Sequence, residues 1–537
     1  MIQRLFNHTS SGILAGASIL ALASLASRGL GFLRNALLAS SYGAGNTLDA
    51  YFLAFRLPDL FFNLLFFGAL SAGFVPVFIK LKERNKDEAW RLANDIVNLS
   101  LVAFTLFGII FFFVSPWVLR QIAPGFDEAT MNLAVTMSRI MFLQPIFLGI
   151  SGIFSGILQS VHKFLSYSLA PIFYNLGIIF GVLVLSDFMG PVGLAWGVVL
   201  GALLHMAIQY PATKASGWKW RFNINPGLAA LKRVLAVMVP RSLSLIVQQV
   251  NLIILVSFAT VLGAGSVAVL NFASDLYSFP LGVVVVPLGV AAFPVFVSAL
   301  GRNKRELAEV FLRTIRQLLF VIIPVTALAL VLRAQVVRLT LGYGKFGWEE
   351  TILTIDTLTF LLLGLVFQAV LVILLRAYFA LEDAKTPLAV LVAGTGIIVL
   401  SALWFRNFMG VAGLALGLSL GIIFETIILF MIFARRVKMP RASELLRSAV
   451  IFILSALVAG LAARGVLYFA ADYFVTTREV WGLAVQAVLA TIVGGAVYLF
   501  ITWLLKVPEI ETLRTKLGLA AAKETTFEEG VEKELPR

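Results

Sequence analysis

Long apolar runs recur along the whole chain, and they constrain its fold more than any other feature of the sequence. The runs 164–186, 387–405 and 480–505 are each of the length that crosses a bilayer as a helix, about 20 residues. Of the 537 residues, 60% are hydrophobic and only 13% are charged, whereas a soluble domain carries roughly 25% charged residues. The chain is therefore predicted to be an all-α polytopic membrane protein.

Apolar stretches between charged or Gly/Pro-rich turns predict about fourteen transmembrane helices. Pro58 and Pro280 interrupt two of the longer spans, and such breaks in transporters often mark the substrate path. The first span imitates a signal peptide, but more spans follow at once, so we expect a retained first helix. The predicted spans are 12–41, 50–79, 93–119, 130–158, 164–186, 190–212, 234–262, 266–300, 306–332, 351–375, 387–405, 410–434, 449–470 and 480–505.

The Lys and Arg residues are distributed unevenly between the two sides of these spans. Alternate loops and their flanking span ends hold 23 of them, and the opposite loops hold six. Because cytoplasmic loops carry the basic excess, both termini are predicted to lie in the cytoplasm. Much of the net charge of +14 is thus a topology signal, and we expect no nucleic-acid partner. The six are Arg120, Arg333, Arg338, Lys345, Arg406 and Arg478.

An internal repeat relates the two halves of the chain. Met189–Gly197 returns as Met409–Gly417, and both the Gly-Ala-Gly at 43–45 and the Arg-Asn-Lys at 84–86 return after 220 and 218 residues. This offset spans six helices and so preserves orientation, which predicts two parallel six-helix lobes rocking about a central site. The predicted organisation is an N-lobe at 1–222, a C-lobe at 223–440, two further helices in 441–506 and a disordered cytoplasmic tail at 507–537.

Several charged side chains fall inside the predicted spans of the first lobe. A charge at bilayer depth costs on the order of 2.5–3.5 kcal/mol on insertion scales and marks a functional site by default. Arginine suits phosphate because its planar fork binds two oxygens at once. These residues predict a net cationic cavity for an amphiphile with a phosphate head; the alternative is that the arginines pair with Asp59 or with carbonyl groups and only hold helices together. They are Arg28, Arg34, Arg56, Asp59 and Arg139.

The second lobe has fewer charges within its spans. Arg241, Asp275, Asp356 and Glu425 are the ones that the pattern singles out. An acid here could serve ion coupling, and a neutral packing role or an interfacial position explains it equally well. Cysteine is absent, and no phosphate-binding loop, metal-ligand spacing or nucleophile–base set occurs, so we predict neither an enzyme nor a cofactor or metal site.

Particular motifs resemble the MurJ (MviN) family of bacterial lipid II flippases. The resemblance covers the first twelve spans in order. It implies the MOP exporter fold, a central cavity open to the bilayer, and outward movement of an undecaprenyl-linked peptidoglycan precursor. It also implies coupling to membrane potential or, in some members, to Na⁺. The motifs are Ser27–Arg34, Gly43–Gly45 leading to Asp49–Pro58, Gly68–Ser71 with Phe74–Phe78, and Arg376–Pro387.

The resemblance assigns site residues only in part. Arg28 and Arg34 match the family's first-span arginines, and Asp49 matches its acid after the first turn. Where the family has a basic residue in the second span and another in the eighth, this chain has Asn63 and Asp275. With Arg56 and Asp59, these residues form the predicted substrate site, and Arg139 or Arg241 is a candidate replacement for a lost cation.

Four functions remain open at this point. The first is a lipid II flippase in the bacterial cytoplasmic membrane, expected to act as a monomer in the lipid bilayer. The second is a flippase for another polyprenyl-diphosphate-linked glycan, which the altered cations would permit. A multidrug exporter is disfavoured for cationic drugs by the arginines, and the last alternative is a non-transporting scaffold that recruits cell-wall synthesis proteins.

Overall fold

A computed structural model describes residues 13–63, 74–222, 247–439, 442–473 and 480–510 of the chain. Arg241, part of the second predicted span and most of the predicted tail lie outside the described residues. The helices are α1 Ile13–Tyr42, α2 Asn46–Phe62, α3 Val75–Arg84, α4 Lys86–Ile122, α5 Glu128–Ser160, α6 Phe164–Met189, α7 Val192–Ala215, α8 Val247–Thr260, α9 Ser266–Arg302, α10 Lys304–Leu341, α11 Trp348–Leu363, α12 Leu365–Ala380, α13 Lys385–Met409, α14 Val411–Arg436, α15 Ala442–Tyr473 and α16 Val480–Leu504.

The described residues confirm the prediction of an all-α membrane protein. Ten helices are long and apolar enough to cross a bilayer, or eleven if α11 and α12, which meet at a 46° bend, form one span. The predicted spans at 50–79 and 234–262 run into ranges outside the description, so the total of fourteen stays a prediction. Pro280 is followed by a π-helical turn at Leu281–Val285, whereas α2 continues through Pro58 to Phe62.

Small residues allow neighbouring helices of the bundle to approach closely. Gly177 and Gly181 of α6 lie against Gly201 and Gly197 of α7, and a Cβ added at Gly197 would lie 2.6 Å from the Cα of Gly181. Small residues four positions apart permit this approach in membranes, where helix association depends on van der Waals contact. These two helices therefore pack closely against each other in the first half of the chain.

The same packing recurs 220 residues later. Gly413, Gly417 and Gly421 of α14 lie against α13, and a Cβ at Gly417 would lie 2.7 Å from the backbone nitrogen of Ala402. These glycines stand at the positions of Gly193, Gly197 and Gly201 in the sequence repeat. The repeat is therefore also a repeat of helix packing, while the lobe boundaries at 222 and 440 stay a prediction.

Contacts divide the chain into two compact units, of which the first comprises residues 1–281 and 336–433. A buried apolar cluster in this unit joins α2, α4, α5, α9 and α14 through Leu53, Leu119, Ala134, Leu270 and Leu414, each at most 4% exposed. Because α2 and α9 share this core, their polar side chains are held on neighbouring surfaces. The ring of Phe52 on α2 meets that of Phe272 on α9 edge to face, with centroids 5.4 Å apart.

The second unit comprises residues 282–335 and 434–537. Its core is aromatic, because the ring of Phe320 on α10 lies 5.6 Å from that of Phe452 on α15 and 5.5 Å from that of Tyr498 on α16. The Tyr498 hydroxyl also donates a hydrogen bond to the Phe320 carbonyl at 2.9 Å. This bond satisfies a phenol that would otherwise be buried without a partner.

Candidate substrate cavity

A polar cavity of about 410 Å³ lies inside the first unit. It is bounded by α1, α2 and α9, with further residues from α5 and α6. Five of the predicted site residues line it, namely Arg34, Arg56, Asp59, Asn63 and Asp275. The remaining lining consists of Asn35, Leu38, Tyr51, Phe52, Phe55, Phe62, Gln144, Leu148, Tyr174 and Asn271.

Arg34 is the centre of a hydrogen-bond network between α1, α6 and α9. Its guanidinium donates to the side-chain oxygen of Asn35 at 3.0 and 3.1 Å and to that of Asn175 at 3.2 Å. Asn35 in turn donates to the Asp275 carboxylate at 2.8 Å, and that carboxylate lies 3.9 Å from the Arg34 guanidinium. Arg34 is thus held in place by neutral amides, and its ion pair with Asp275 is a long one.

Arg56 and Asp59 form a second polar group on α2. The Arg56 guanidinium donates a short hydrogen bond to the side-chain oxygen of Asn271, while its buried Nε has no partner among the described residues. Asp59 accepts from the Gln144 amide at 3.4 Å, and the same amide donates to the Tyr174 hydroxyl at 3.3 Å. A buried donor without a partner is costly, so Arg56 retains capacity to bind an acceptor in the cavity.

Among the described residues that line the cavity, the formal charges balance. Two arginines, Arg34 and Arg56, face two aspartates, Asp59 and Asp275. The expected net cationic lining is therefore not observed, because Asp275 stands beside Arg34 where the family resemblance leads one to expect a base. Inside apolar helices a partly desolvated guanidinium needs a counter-charge, and the acids supply it.

Arg28 does not line the cavity. Its guanidinium lies over the ring of Phe279, 6.0 Å from the ring centroid, and that ring also contacts Phe32 at 5.1 Å. Arg28 and Arg34 are six positions apart, which turns the two side chains to different sides of α1. Arg28 is nevertheless held by α9, the helix that carries Asp275.

Asp49 is placed at the start of α9 and away from the cavity lining. Its carboxylate is buried, at 1% exposure, and accepts hydrogen bonds from the backbone of Gly265 at 2.7 Å and of Ala268 at 2.8 Å. Free backbone N–H groups at a helix N-terminus favour a carboxylate, so Asp49 caps α9 from α2. Its geometry gives it a structural role and leaves no oxygen directed at a ligand in the central cavity.

Close backbone contacts surround the Asp49 cap and close this end of the bundle. The Lys345 backbone donates to the Ser40 carbonyl at 2.8 Å. Gly265 and Gly344 have positive φ, at 85° and 61°, and a Cβ at either position would collide with the carbonyl of Ala44 or of Ser40. Glycine is needed at both positions for the conformation and for the space.

Of the two candidate replacement cations, the structure places only Arg139, and it lies away from the cavity. Arg139 donates to the Phe112 carbonyl at 2.8 Å and lies 4.6 Å from the centroid of the Phe112 ring, so it contacts α4 and not the cavity. This placement contradicts the hypothesis that Arg139 replaces a lost cation, and Arg241 lies outside the described residues. In the described part of the chain, no three acids or histidines are grouped to hold a metal ion.

Four side-chain amides hold the charged groups of the site, and sequence reasoning missed them. Asn35, Gln144, Asn175 and Asn271 orient the charged groups, and each occurs as an uncharged polar residue within an apolar helix. That interruption was the available signal, because such a side chain requires a partner inside the bundle. Which partner it finds depends on helix packing.

Known proteins of one family match most of the chain. The sequence profile described as lipid II flippase MurJ matches residues 38–485. A probable lipid II flippase MurJ of Rhizobium meliloti is 31% identical over 73% of this chain and 74% of the relative. The lipid II flippase MurJ of Burkholderia cenocepacia is also 31% identical, over 76% of this chain and 81% of the relative.

Solved structures support the same fold. The structure titled lipid II flippase MurJ, inward closed conformation, covers 93% of this chain and 99% of its own with a TM-score of 0.71 at 22% identity. An inward-facing multidrug resistance transporter of the MATE family and MOP superfamily covers 78% of this chain and 98% of its own, with a TM-score of 0.65 at 19% identity. With the profile and the 31% identical relatives, these findings show that the chain belongs to the lipid II flippase MurJ family.

Proposed function

We propose that this protein is a flippase that moves lipid II, the undecaprenyl-diphosphate-linked peptidoglycan precursor, from the inner to the outer leaflet of the bacterial cytoplasmic membrane. The observation that carries the proposal is a polar cavity, containing Arg34 and Arg56, enclosed by apolar helices in a chain of this family. A guanidinium presents parallel donors that match two phosphate oxygens, so the diphosphate is the part of the substrate that the cavity fits.

In this mechanism the diphosphate competes with residues of the chain for Arg34. The long Arg34–Asp275 pair, at 3.9 Å, is weaker than a direct contact and can open when phosphate oxygens arrive. Arg56 offers the same ligand its Nε, which has no partner in the described part of the chain. The bound head group then crosses the membrane by alternating access, as the two ends of the bundle open in turn.

The uneven distribution of Lys and Arg between the loops assigns the two ends of the cavity to the two sides of the membrane. We place both termini in the cytoplasm, which puts the closed end around Asp49, Gly265 and Lys345 on the outer side. The conformation described would then be open toward the inside. Reporter fusions at the two termini test this orientation, since an alkaline phosphatase that is active at either terminus would reverse it.

We propose membrane potential as the driving force and Na⁺ as the alternative. Each charge that moves across 100 mV contributes about 2.3 kcal/mol, which is enough to bias two conformations strongly. A proteoliposome assay with imposed potential and with Na⁺ replaced by choline separates the two. Transport that ignores both would remove this part of the proposal.

Complementation of a bacterium depleted of its own flippase tests the function. Wild-type chain should restore growth, and Arg34→Ala with Arg56→Ala should abolish it at equal membrane abundance, because both diphosphate contacts are lost. Arg139→Ala is the matched control, since Arg139 contacts Phe112 and not the cavity. If the well-expressed wild-type chain fails to restore growth, the lipid II function is wrong.

A second candidate is a flippase for another polyprenyl-diphosphate-linked glycan. The observation that favours it is the balanced lining, with Asn63 and Asp275 where the family resemblance leads one to expect bases. Native mass spectrometry with lipid II and with a lipid-linked oligosaccharide of different head group compares the two substrates directly. The same spectra report whether the protein is a monomer, as expected from a cavity lined by one chain.

The non-transporting scaffold is the third possibility. A scaffold would recruit cell-wall synthesis proteins through its surface and would not need Arg34 or Arg56 in the cavity. Retention of growth by the double alanine variant, together with co-purification of cell-wall enzymes, would favour this scaffold over either flippase.

A further inference from the structure

Glu425 is an acid in the middle of α14 that the substrate cavity does not use. It stands 14 residues after the helix begins at Val411 and 11 before it ends at Arg436, or roughly 21 and 16 Å along the axis. Its side chain is 3% exposed. These positions put a carboxyl group near the centre of the bilayer and inside the bundle.

Among the described residues, the surroundings of Glu425 provide space but no counter-charge. Its carboxyl lies over Gly394 of α13, so closely that a Cβ at Gly394 would overlap Oε1 and Cγ of the glutamate. One turn earlier, Gly421 meets the side chain of Ile398. Glycine at position 394 thus makes the pocket that holds the acid.

The other neighbouring helix, α12, carries the cation Arg376, but Glu425 forms no ion pair with it among the described residues. The contacts of α12 with this part of α14 include two hydrogen bonds to backbone carbonyls: Thr426 donates to the Phe367 carbonyl at 3.1 Å, and Tyr378 donates to the Leu429 carbonyl at 2.9 Å. Within the described residues Glu425 forms no ion pair, and its Oε1 has no hydrogen-bond partner.

An ionised carboxylate is not compatible with this arrangement, because a buried charge without a partner is far more costly than a neutral acid. A metal cation would need several oxygen ligands, and Gly394 presents only hydrogen atoms to the carboxyl. We propose that Glu425 is a proton-binding site, which holds a proton while α13 and α14 are packed together. The acid releases the proton when these helices separate and water reaches it.

This inference rests on the proposed transport function for its purpose and on the structure for its site. A proton bound in one conformation and released in another lets the membrane potential, which acts on the charge of the proton, shift the balance between the two conformations. The site can be tested without any transport assay.

Dicyclohexylcarbodiimide, an apolar reagent that modifies protonated carboxyls within membranes, is the probe. The purified full-length chain in lipid nanodiscs should gain one adduct that peptide mapping places at Glu425, and Glu425→Gln should lack it. We expect at least about fivefold more adduct at mildly acidic than at alkaline pH, because only the protonated form reacts. Replacing choline with Na⁺ should not protect Glu425 from the reagent. Strong protection by Na⁺, or the absence of an adduct at Glu425, overturns the proton site.

Thermal unfolding gives a second and independent measurement. The folded chain keeps a proton that the unfolded chain releases, so the melting temperature of the wild-type chain should fall as pH rises from acidic to alkaline. Glu425→Gln, which imitates the protonated acid, should fold normally, and its melting temperature should fall less as pH rises. Equal pH dependence of the two proteins would overturn the proposal, and Asp356→Asn, which removes an exposed acid from α11, is the matched control.

Transport separates the coupling role from the proposed function. Glu425→Gln should keep substrate binding and lose at least about tenfold in transport rate, because its site cannot release a proton. Unchanged transport by Glu425→Gln would overturn the coupling role while leaving lipid transport intact. Absence of transport by the wild-type chain itself would instead overturn the proposed function and leave the carbodiimide result standing.

Discussion

At the scale of single residues, Arg34 shows what the sequence reveals and what it conceals. A charge in an apolar span pointed to a site, but its contacts with Asn35 and Asn175 come from helix packing. We predict that Arg34→Lys weakens lipid II binding by at least about tenfold, because one ammonium cannot hold both amides and a phosphate as the guanidinium fork does. Native mass spectrometry with titrated lipid II measures this change.

Arg139→Lys is the control for that measurement. Arg139 also lies in a transmembrane helix, but its guanidinium is engaged by the Phe112 carbonyl and ring. Lipid II affinity should therefore stay within about twofold of wild type, since no cavity contact changes. Equal losses from the two substitutions would show that Arg34 has no specific part in binding the diphosphate.

At the scale of helices, the glycine spacing of α6 and α7 determines how closely they pack. We predict that Gly197→Val lowers the free energy of unfolding by about 1–3 kcal/mol or prevents folding, because its Cβ would lie 2.6 Å from the Cα of Gly181. Gly108→Val on α4 is the control, since nothing lies within 4 Å of a Cβ there. Similar unfolding curves for both variants in detergent would contradict close packing at Gly197.

The Asp49 cap connects two helices, and its loss should affect the closed end of the bundle. We predict that Asp49→Asn lowers the free energy of unfolding by about 1–2 kcal/mol, because an amide has one acceptor oxygen, whereas the carboxylate accepts from Gly265 through one oxygen and from Ala268 through the other. The chain has no cysteine of its own, so Ala44→Cys introduces a single labelling site. Maleimide should label this site faster in the Asp49→Asn variant than in the chain that keeps Asp49. Unchanged labelling would show that the cap does not keep this end closed.

Asp127→Asn is the matched control for the cap. Asp127 accepts from the Thr130 backbone within its own helix, and the hydrogen bonds from Thr130 lower the pKa of that exposed carboxyl. Because this cap connects no second helix, labelling at Ala44→Cys should not change. A faster rate in this variant as well would attribute the effect of Asp49→Asn to general loss of stability.

At the scale of the whole molecule, the sequence predicted the class and much of the arrangement. Apolar runs and the 220-residue repeat predicted a helical bundle with two related halves. In the structure, Gly413, Gly417 and Gly421 of α14 repeat the packing of α7. The charge balance of the cavity could not be predicted, because it depends on which side of α9 carries Asp275 and which side of α1 carries Arg28. Those rotations follow from tertiary packing and not from the spacing of apolar residues.

Alternating access requires that the closed end of the bundle open once in each cycle. The 2.8 Å backbone hydrogen bond from Lys345 to Ser40 places these residues near the Cα separation of about 4.4–6.8 Å that a disulfide needs. We predict that Ser40→Cys with Lys345→Cys forms a disulfide on oxidation and stops transport, and that a reductant restores it. The single variants, treated alike, should transport normally. Continued transport by a fully cross-linked chain would mean that this end does not open, and that substrate leaves by another route.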